Sequence, residues 1–248
     1  MAIPGLKWPV LQLHSKSHSM AANFYYIQSP SLTMRTLSLL ILGTALLFVL
    51  GGVKATDPTW VAEDISTNAD DAYSVFAADM DNDGDMDIIS ASTFDDTIAW
   101  YVNDGGADPS WTTVIIAVDA DGARSVFAAD MDNDGDLDIV SASTWDDTIA
   151  WYENSGGETP TFTASNIATN ADGAEHVFVA DMDDDGDMDI LSASSEDDTI
   201  AWYENNGAAN PSWLSFNIAT NADGANCVFA ADMDNDGDLD IISASRND

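Results

Sequence analysis

The chain has a single cysteine, Cys227, and very few basic residues. One thiol cannot form a disulfide within the chain, so covalent cross-links are excluded as a source of stability. Against 44 aspartates and glutamates there are only six lysines and arginines. Residues 1–55 carry four of these bases and no acid, so the net charge of residues 56–248 is −42. So acidic a surface excludes nucleic acid and anionic membranes as electrostatic partners.

Sustained helical periodicity is also missing after residue 55, whereas a strict repeat is present. The string DMDNDGDMD at Asp79–Asp87 returns almost unchanged from Asp130, Asp181 and Asp232, each time after 51 residues. A constant period of this length is typical of a repeat architecture, in which each repeat forms one structural unit.

Each repeat contains four short runs rich in β-branched and aromatic residues, bounded by Gly, Asp, Asn or Pro. In the first repeat these runs are Ser74–Asp79, Asp87–Ser92, Thr97–Asn103 and Trp111–Val118. Four short strands per repeat are the content of one β-propeller blade. The sequence therefore predicts an all-β fold, a β-propeller of about four blades within residues 56–248.

The predicted strands do not complete a ring. One run, Thr59–Ser66, matches the fourth strand of a blade, three full repeats follow, and the next repeat has only its first two strands. A propeller closes by building its last blade from both ends, and the third strand of that blade is missing here. We interpret the chain as a propeller truncated in its fourth blade, from an incomplete gene model or a longer protein; an oligomer that completes the ring is the alternative. Open strand edges favour pairing with other chains.

The acidic string predicts a cation site. Five carboxylates within nine residues repel one another unless a cation lies among them, and alternate spacing lets a tight loop direct them at one point. Hard oxygen ligands in this number suit Ca²⁺, and the glycine at position six permits a sharp turn. An EF-hand is excluded, because position twelve is a serine (Ser90 in the first copy) and the flanking segments are strand-like. The residues thus predict about one Ca²⁺ per loop, held by side chains one, three, five and nine and by carbonyl seven.

The segment VFAADMDNDGDMDIISAS resembles the FG-GAP/VCBS-type β-propeller repeats, whose D-x-D-x-D-G-x-x-D loop also occurs in integrin α-subunit propellers. The resemblance covers about residues 59–248 and implies Ca²⁺ bound between the first two strands of each blade. The literal strings FG and GAP are absent, and position seven carries an additional aspartate. The implied metal ligands are Asp79, Asp81, Asp83, Asp85 and Asp87; Asp130, Asp132, Asp134, Asp136 and Asp138; Asp181, Asp183, Asp185, Asp187 and Asp189; and Asp232, Asp234, Asp236, Asp238 and Asp240.

The apolar run Leu37–Val53 follows Met34-Arg35 and ends at Val53-Lys54-Ala55. This layout predicts a signal peptide over residues 34–55, cleaved after Ala55; the run is also close to the lower limit for a membrane span, so a signal anchor stays open. Residues 1–33 show no repeat character and are interpreted as an upstream extension. The acidic part is expected to be secreted or on the extracellular surface, with the membrane as a partner only if the anchor is retained.

Near-identical repeats build a scaffold without a unique site, which favours a non-catalytic adhesion or ligand-binding module for an extracellular protein or glycan. The alternative is a repeat segment of a larger extracellular enzyme, such as a polysaccharide lyase or hydrolase. No catalytic residue is predicted, because His176 is the only histidine after residue 55 and shares its repeat position with Ser74, Ser125 and Cys227.

The aromatic residues divide into repeated and variable positions. Trp100, Trp151 and Trp202 are equivalent by repeat, which predicts packing between blades rather than a platform for sugars. Trp145 occupies a position that holds Phe94, Glu196 and Asn247 in the other copies. Since it varies between repeats, Trp145 is the better candidate for an exposed ligand contact.

Overall fold

The fold is described from a computed structural model, for residues 24–28 and 61–247. Within these residues the structure is all-β, with sixteen strands and no helix. Accordingly, the described part of the chain contains no helix that is long and apolar enough to cross a membrane. The predicted signal peptide, residues 34–55, lies outside the described residues.

Three complete blades follow a two-stranded sheet formed by β1 (Phe24–Gln28) and β2 (Val61–Ser66). Each blade is a four-stranded antiparallel sheet in which neighbouring strands are consecutive in the chain. The first blade contains β3 (Ala72–Ala78), β4 (Asp87–Ser92), β5 (Thr97–Asn103) and β6 (Trp111–Ala117). The second contains β7 (Ala123–Ala129), β8 (Asp138–Ser143), β9 (Thr148–Asn154) and β10 (Phe162–Ala168). The third contains β11 (Ala174–Ala180), β12 (Asp189–Ser194), β13 (Thr199–Asn205) and β14 (Trp213–Ala219), and β15 (Ala225–Ala231) and β16 (Asp240–Ser245) begin a fourth.

The hydrophobic core lies between successive blades. The first strands of neighbouring blades lie side by side, and the second strands β4, β8 and β12 are buried along their whole length. Between blades one and two, Met80, Ile89 and Trp100 pack against Val126 and Tyr152. The equivalent tryptophans Trp151 and Trp202 occupy the next two interfaces. The predicted scaffold role of the repeated tryptophans is confirmed.

The array of blades is open. In the described residues β15 and β16 form a separate two-stranded sheet, and neither is paired with β1 or β2. The prediction of about four blades without closure is therefore confirmed.

The β1–β2 pair has the register of the third and fourth strands of a blade, including an irregularity at the same place. The corresponding pairs are Phe24–Ser66 and Tyr25–Asp64 in β1–β2, and Ile98–Ala117 and Ala99–Ile115 in the first blade. β1 thus pairs with β2 as the third strand of a blade pairs with the fourth, although the repeat pattern shows no third strand before β2. Its residues belong to the segment that we interpreted from the sequence as an upstream extension. Processing after Ala55 would separate it from the propeller.

Candidate metal centres and the variable end

Each acidic loop connects the first two strands of a blade and is held by its own carboxylates. In the first loop, Asp79 Oδ1 accepts a hydrogen bond from the backbone N–H of Asp83 at 3.1 Å, and Oδ2 accepts one from Gly84 at 3.0 Å. Asp83 Oδ1 accepts from the N–H of Asp85 at 2.9 Å. The same three contacts recur in the second and third loops. Positions one and five therefore shape the loop as well as supplying charge.

Two residues of the loop adopt left-handed backbone conformations. Asn82 has φ 58° and Gly84 has φ 95°. A Cβ added to Gly84 would meet no atom within 4 Å, so the glycine is needed for its φ rather than for space.

The structure brings three carboxylates of each loop together. Their oxygens lie within 4.8 Å of one another at positions one, three and five in the first three loops and at positions one, three and nine in the fourth. These sets are Asp79, Asp81 and Asp83; Asp130, Asp132 and Asp134; Asp181, Asp183 and Asp185; and Asp232, Asp234 and Asp240. Each set could hold a metal ion.

Position nine has a different role in the first three loops. Asp87 is buried, and its two oxygens accept hydrogen bonds from the N–H groups of Met80 at 3.1 Å and Asn103 at 2.8 Å. Asp138 and Asp189 make the equivalent contacts. The predicted ligand at this position thus ties its loop to the third strand of the blade.

The electrostatics of the loops fit a cation. Burial raises the pKa of Asp81, and repulsion by Asp87 and Asp83 raises it further. Burial likewise raises the pKa of Asp138, to about 7. Asp81 Oδ1 is buried and has no hydrogen-bond partner among the described residues. A hard cation bound between Asp79, Asp81 and Asp83 would give this unpaired carboxylate oxygen a partner.

The additional aspartate at position seven joins neighbouring blades. Asn82 of the first loop donates its amide to Asp136 Oδ1 of the second loop at 2.7 Å, and Asn133 donates to Asp187 Oδ1 of the third at 2.6 Å. Each carboxylate also lies against a glycine of its own blade, such as Gly156 beside Asp136, where a Cβ would clash. Sequence reasoning predicted only the backbone carbonyl of position seven as functional. Asn82 recurs as Asn133 after 51 residues, and this repetition is the feature of the sequence from which the side-chain hydrogen bond could have been predicted.

A second contact anchors each of the first two loops to the blade that follows. Asn154, at the end of β9, donates to the carbonyl of Met80 at 3.1 Å, and Asn205 donates to that of Met131 at 2.8 Å. The candidate metal loops therefore lie at the joints between blades.

The family model described as the FG-GAP-like repeat matches three overlapping segments in tandem, residues 79–141, 130–192 and 181–243. The chain belongs to the FG-GAP-like repeat family. The matched segments cover well over half of the chain and contain all four acidic loops.

No curated protein sequence matches the chain. A solved structure of a lectin from Agrocybe aegerita, whose description is specific recognition of non-reducing terminal N-acetylglucosamine, is 14% identical with a TM-score of 0.43. The match covers 94% of this chain and 74% of the lectin chain. A score this low does not by itself establish a common fold.

The opposite end of the FG-GAP-like repeats carries the turns between the second and third strands. These turns contain the aspartate pairs Asp95-Asp96, Asp146-Asp147 and Asp197-Asp198. Asp96 has φ 54° and accepts a hydrogen bond from the N–H of Gly122 in the next blade at 2.9 Å. Asp147 and Asp198 repeat this contact. They are therefore structural joints between FG-GAP-like repeats.

The variable residues of these turns are exposed. Trp145 is 49% exposed and Phe94 44%, and their ring centroids lie 5.9 Å apart with the planes tilted by 35°. Trp145 also lies over Gly122, where a Cβ would clash with the indole. The next two turns carry Glu196, which is exposed, and Asn247. This end of the propeller offers an exposed aromatic pair beside polar residues.

A second set of variable residues, at the start of the first strands, forms side-chain contacts from one blade to the next. The guanidinium carbon of Arg124 lies 4.7 Å from the centroid of the Tyr73 ring. The same guanidinium group forms an ion pair with the Glu175 carboxylate, with a nitrogen–oxygen distance of 2.7 Å. Arg246 approaches the same buried carboxylate at 3.2 Å, and Ser195 donates to it at 3.2 Å. Both arginines present after residue 55 are thus used to neutralise one buried glutamate.

His176 lies in the first strand of the third blade and is half-buried, and burial lowers its pKa. The equivalent serine Ser125 accepts a hydrogen bond from Val177 at 3.2 Å, whereas Cys227 is exposed and unpaired. These contacts assign no catalytic arrangement to His176.

Proposed function

We propose that the protein is an exported, calcium-binding β-propeller that binds an extracellular glycan or protein through the variable end of its blades. The observation that carries the proposal is the separation of repeated and variable residues between the two ends. The acidic loops, at one end, are nearly identical in every repeat. At the other end, each blade presents a different exposed side chain.

The aromatic pair is the proposed contact surface. Exposed aromatic rings bury much apolar area at a small entropic cost, so they often dominate binding. Phe94 and Trp145 present their rings at one edge of neighbouring blades, and Glu196 lies one blade further. An apolar face beside carboxylates suits the C–H face of a sugar ring and its hydroxyl groups. A catalytic role is not proposed, because the paired aspartates of these turns accept backbone hydrogen bonds.

A glycan array with the full chain tests this surface. Trp145→Ala should lose the signal on every glycan that the wild type binds, with an unchanged melting temperature. Leu214→Ala, which removes a 59% exposed residue from the outer strand β14, is the matched control and should bind as the wild type. Equal binding by Trp145→Ala and the control would overturn the proposed surface.

Calcium is supported by the clustered carboxylates of the four loops and by the raised pKa of Asp81 and of Asp138. An ion that binds only the folded loops stabilises the fold by mass action, so a chelator should lower the melting temperature by several degrees. Asp83→Asn should weaken Ca²⁺ binding in calorimetry, whereas Asp108→Asn, an exposed acid outside the loops, should not. An unchanged melt together with no Ca²⁺ in the purified protein would exclude the site.

Export is proposed from the sequence layout of residues 34–55. Determination of the N-terminus of the protein recovered from its natural source tests it. A start at Thr56 supports cleavage after Ala55, whereas recovery of Met1 would refute it.

A further inference from the structure

A cavity of about 120 Å³ lies between the outer strands of the second and third blades. One wall is formed by the end of β10 and its connection to β11, from Ile167 to Ala171. The other wall is one face of β13 and β14, with the adjoining end of β12. Its lining residues all lie in the interior of the repeat array, between Ile167 and Asn217. We call it the interblade cavity.

The wall on the third blade follows from strand alternation, which puts Thr199, Ala201 and Tyr203 on one face of β13. The pairing of Tyr203 with Ser215 and of Ala201 with Asn217 continues this face onto β14. Ala201 has a short side chain, so the middle of the face is recessed between larger neighbours. Ala201 and Tyr203 are buried, whereas Ser215 and Asn217 are exposed. The cavity therefore has a packed inner part and an outer part that solvent reaches.

The lining combines one indole with several hydrogen-bonding groups. Trp213 is half-buried, and the exposed Asn170 adds a side-chain amide from the opposite wall. Asp197 Oδ1 accepts a hydrogen bond from the N–H of Thr199 at 3.2 Å. A carboxylate has about four lone-pair sites, so that of Asp197 can accept further donors. None of the residues that line this cavity is basic.

Packing between blades does not require this polar set. The inner residues recur between the first and second blades, where Ala150 and Tyr152 stand for Ala201 and Tyr203. The outer residues change: Trp213, Ser215 and Asn170 are replaced there by Phe162, Ala164 and Asp119. Phe162 packs edge-on against Trp100, with ring centroids 6.1 Å apart. The charge of Asp119 helps to raise the pKa of Tyr152, whereas the third blade has the neutral Asn170 at this position.

We propose that the interblade cavity binds one uncharged sugar ring. Its volume is close to the roughly 150 Å³ of a cavity that holds a benzene-sized ring. The C–H face of a pyranose would pack on the indole of Trp213. Sugar hydroxyl groups both donate and accept, which matches the amides of Asn170 and Asn217 and the carboxylate of Asp197. A carboxylate with no basic residue in the lining disfavours phosphate, sulfate and uronic acids.

This site is separate from the aromatic pair at the variable end, because neither Phe94 nor Trp145 lines the cavity. Calorimetric titration of the full chain in Ca²⁺ with D-glucose, D-galactose and D-mannose tests it. At least one hexose should bind with a Kd of about 1 mM, the strength expected of a ligand with about a dozen non-hydrogen atoms. The uronic acid of the same hexose should bind at least about 10-fold more weakly.

Two pairs of variants locate the bound sugar. Ser215→Leu places a bulky apolar side chain at the mouth of the cavity and should weaken binding by at least about 10-fold. Ala164→Leu, at the equivalent exposed position of β10, should bind as the wild type. Asn217→Ala should weaken binding by about 5-fold through a lost hydrogen bond, whereas the equivalent Asn166→Ala should not. Melting temperatures close to that of the wild type show that each variant is folded.

Three results would overturn the proposal. The first is that none of the three hexoses binds the wild type up to about 50 mM. The second is equal weakening by Ser215→Leu and Ala164→Leu, or equal binding of a hexose and its uronic acid. The third is binding that is lost in Trp145→Ala and kept in Ser215→Leu, which would assign the sugar to the aromatic pair instead.

Discussion

The hydrogen bond from position four of one loop to position seven of the next cannot form between the third and fourth loops, and a single substitution can restore it. Asn82 and Asn133 each donate to a position-seven carboxylate of the next loop. In the third loop position four is Asp184, which the repeat places opposite Asp238. A carboxylate cannot donate a hydrogen bond to another ionised carboxylate, so this joint has repulsion where the others have attraction. We expect Asp184→Asn to stabilise the protein.

The magnitude follows from the two intact bridges. An amide hydrogen bond of 2.6–2.7 Å to a carboxylate contributes about 1 kcal/mol net, because water competes for both partners. Removing the repulsion adds a fraction of the roughly 1 kcal/mol that two charges 4 Å apart have in water. Both groups are at the surface, so a total of about 1 kcal/mol is expected. For a chain of this length that corresponds to a rise of about 2–4 °C in melting temperature.

Thermal melts at saturating Ca²⁺ measure the effect, with Asn82→Asp as the reverse change at the first joint. Asn82→Asp should lower the melting temperature by a similar amount. Asp184→Ala separates the two contributions, since it removes the repulsion without adding a donor. If Asp184→Asn melts at or below the wild-type temperature while its Ca²⁺ affinity is unchanged, the bridge does not stabilise the joints and the reasoning is wrong.

Three further predictions concern residues away from this bridge. Trp151→Ala should destabilise the protein by about 3–5 kcal/mol in denaturant titrations, because it empties an interface between blades, whereas the exposed Trp145→Ala should leave stability within about 0.5 kcal/mol. Gly84→Ala should cost about 1 kcal/mol or more and weaken Ca²⁺ binding at that loop in calorimetry, because alanine is strained at φ 95°. The pKa of His176 is lowered in the folded protein, so the unfolded chain takes up the proton first as the pH falls below about 6.5. Acidification should therefore destabilise the wild type more than His176→Ser, in melts between pH 7.5 and 5. The difference in the free energy of unfolding should grow by at most about 1.4 kcal/mol per pH unit.

The repeat made the strands predictable from the sequence. Asp87–Ser92 and Thr97–Asn103 were predicted with the bounds that the structure has, because each run rich in β-branched and aromatic residues ends there at turn residues. The predicted run Ser74–Asp79 differs from β3, which begins at Ala72. The pairing shifts between Ala72 and Ser74, and this bulge extends β3 by two residues before the β-rich run that the sequence shows.

The strand β1 could not be predicted, because FYYIQ has no residue identical to IAWYV of β5 at the positions that the strand pairing makes equivalent. Its place is set by pairing with β2, which is a tertiary contact across a long sequence separation. The same limit applies to the site. The clustering of positions one, three and five followed from spacing, whereas the use of Asp87 to bind Met80 and Asn103 depends on where the third strand lies.

The contacts of the acidic loops explain why a cation in them would act on more than a hairpin. Each of the first two loops offers a carbonyl, at Met80 or Met131, and an amide, at Asn82 or Asn133, to the following blade. An ion that fixed the loop would also fix these groups, and through them the angle between blades. Among the described residues the fourth loop has neither a third strand beside it nor a following blade, and there Asp240 is exposed and joins the carboxylate cluster instead of bridging to an asparagine. Its ion affinity should therefore differ from that of the other three loops.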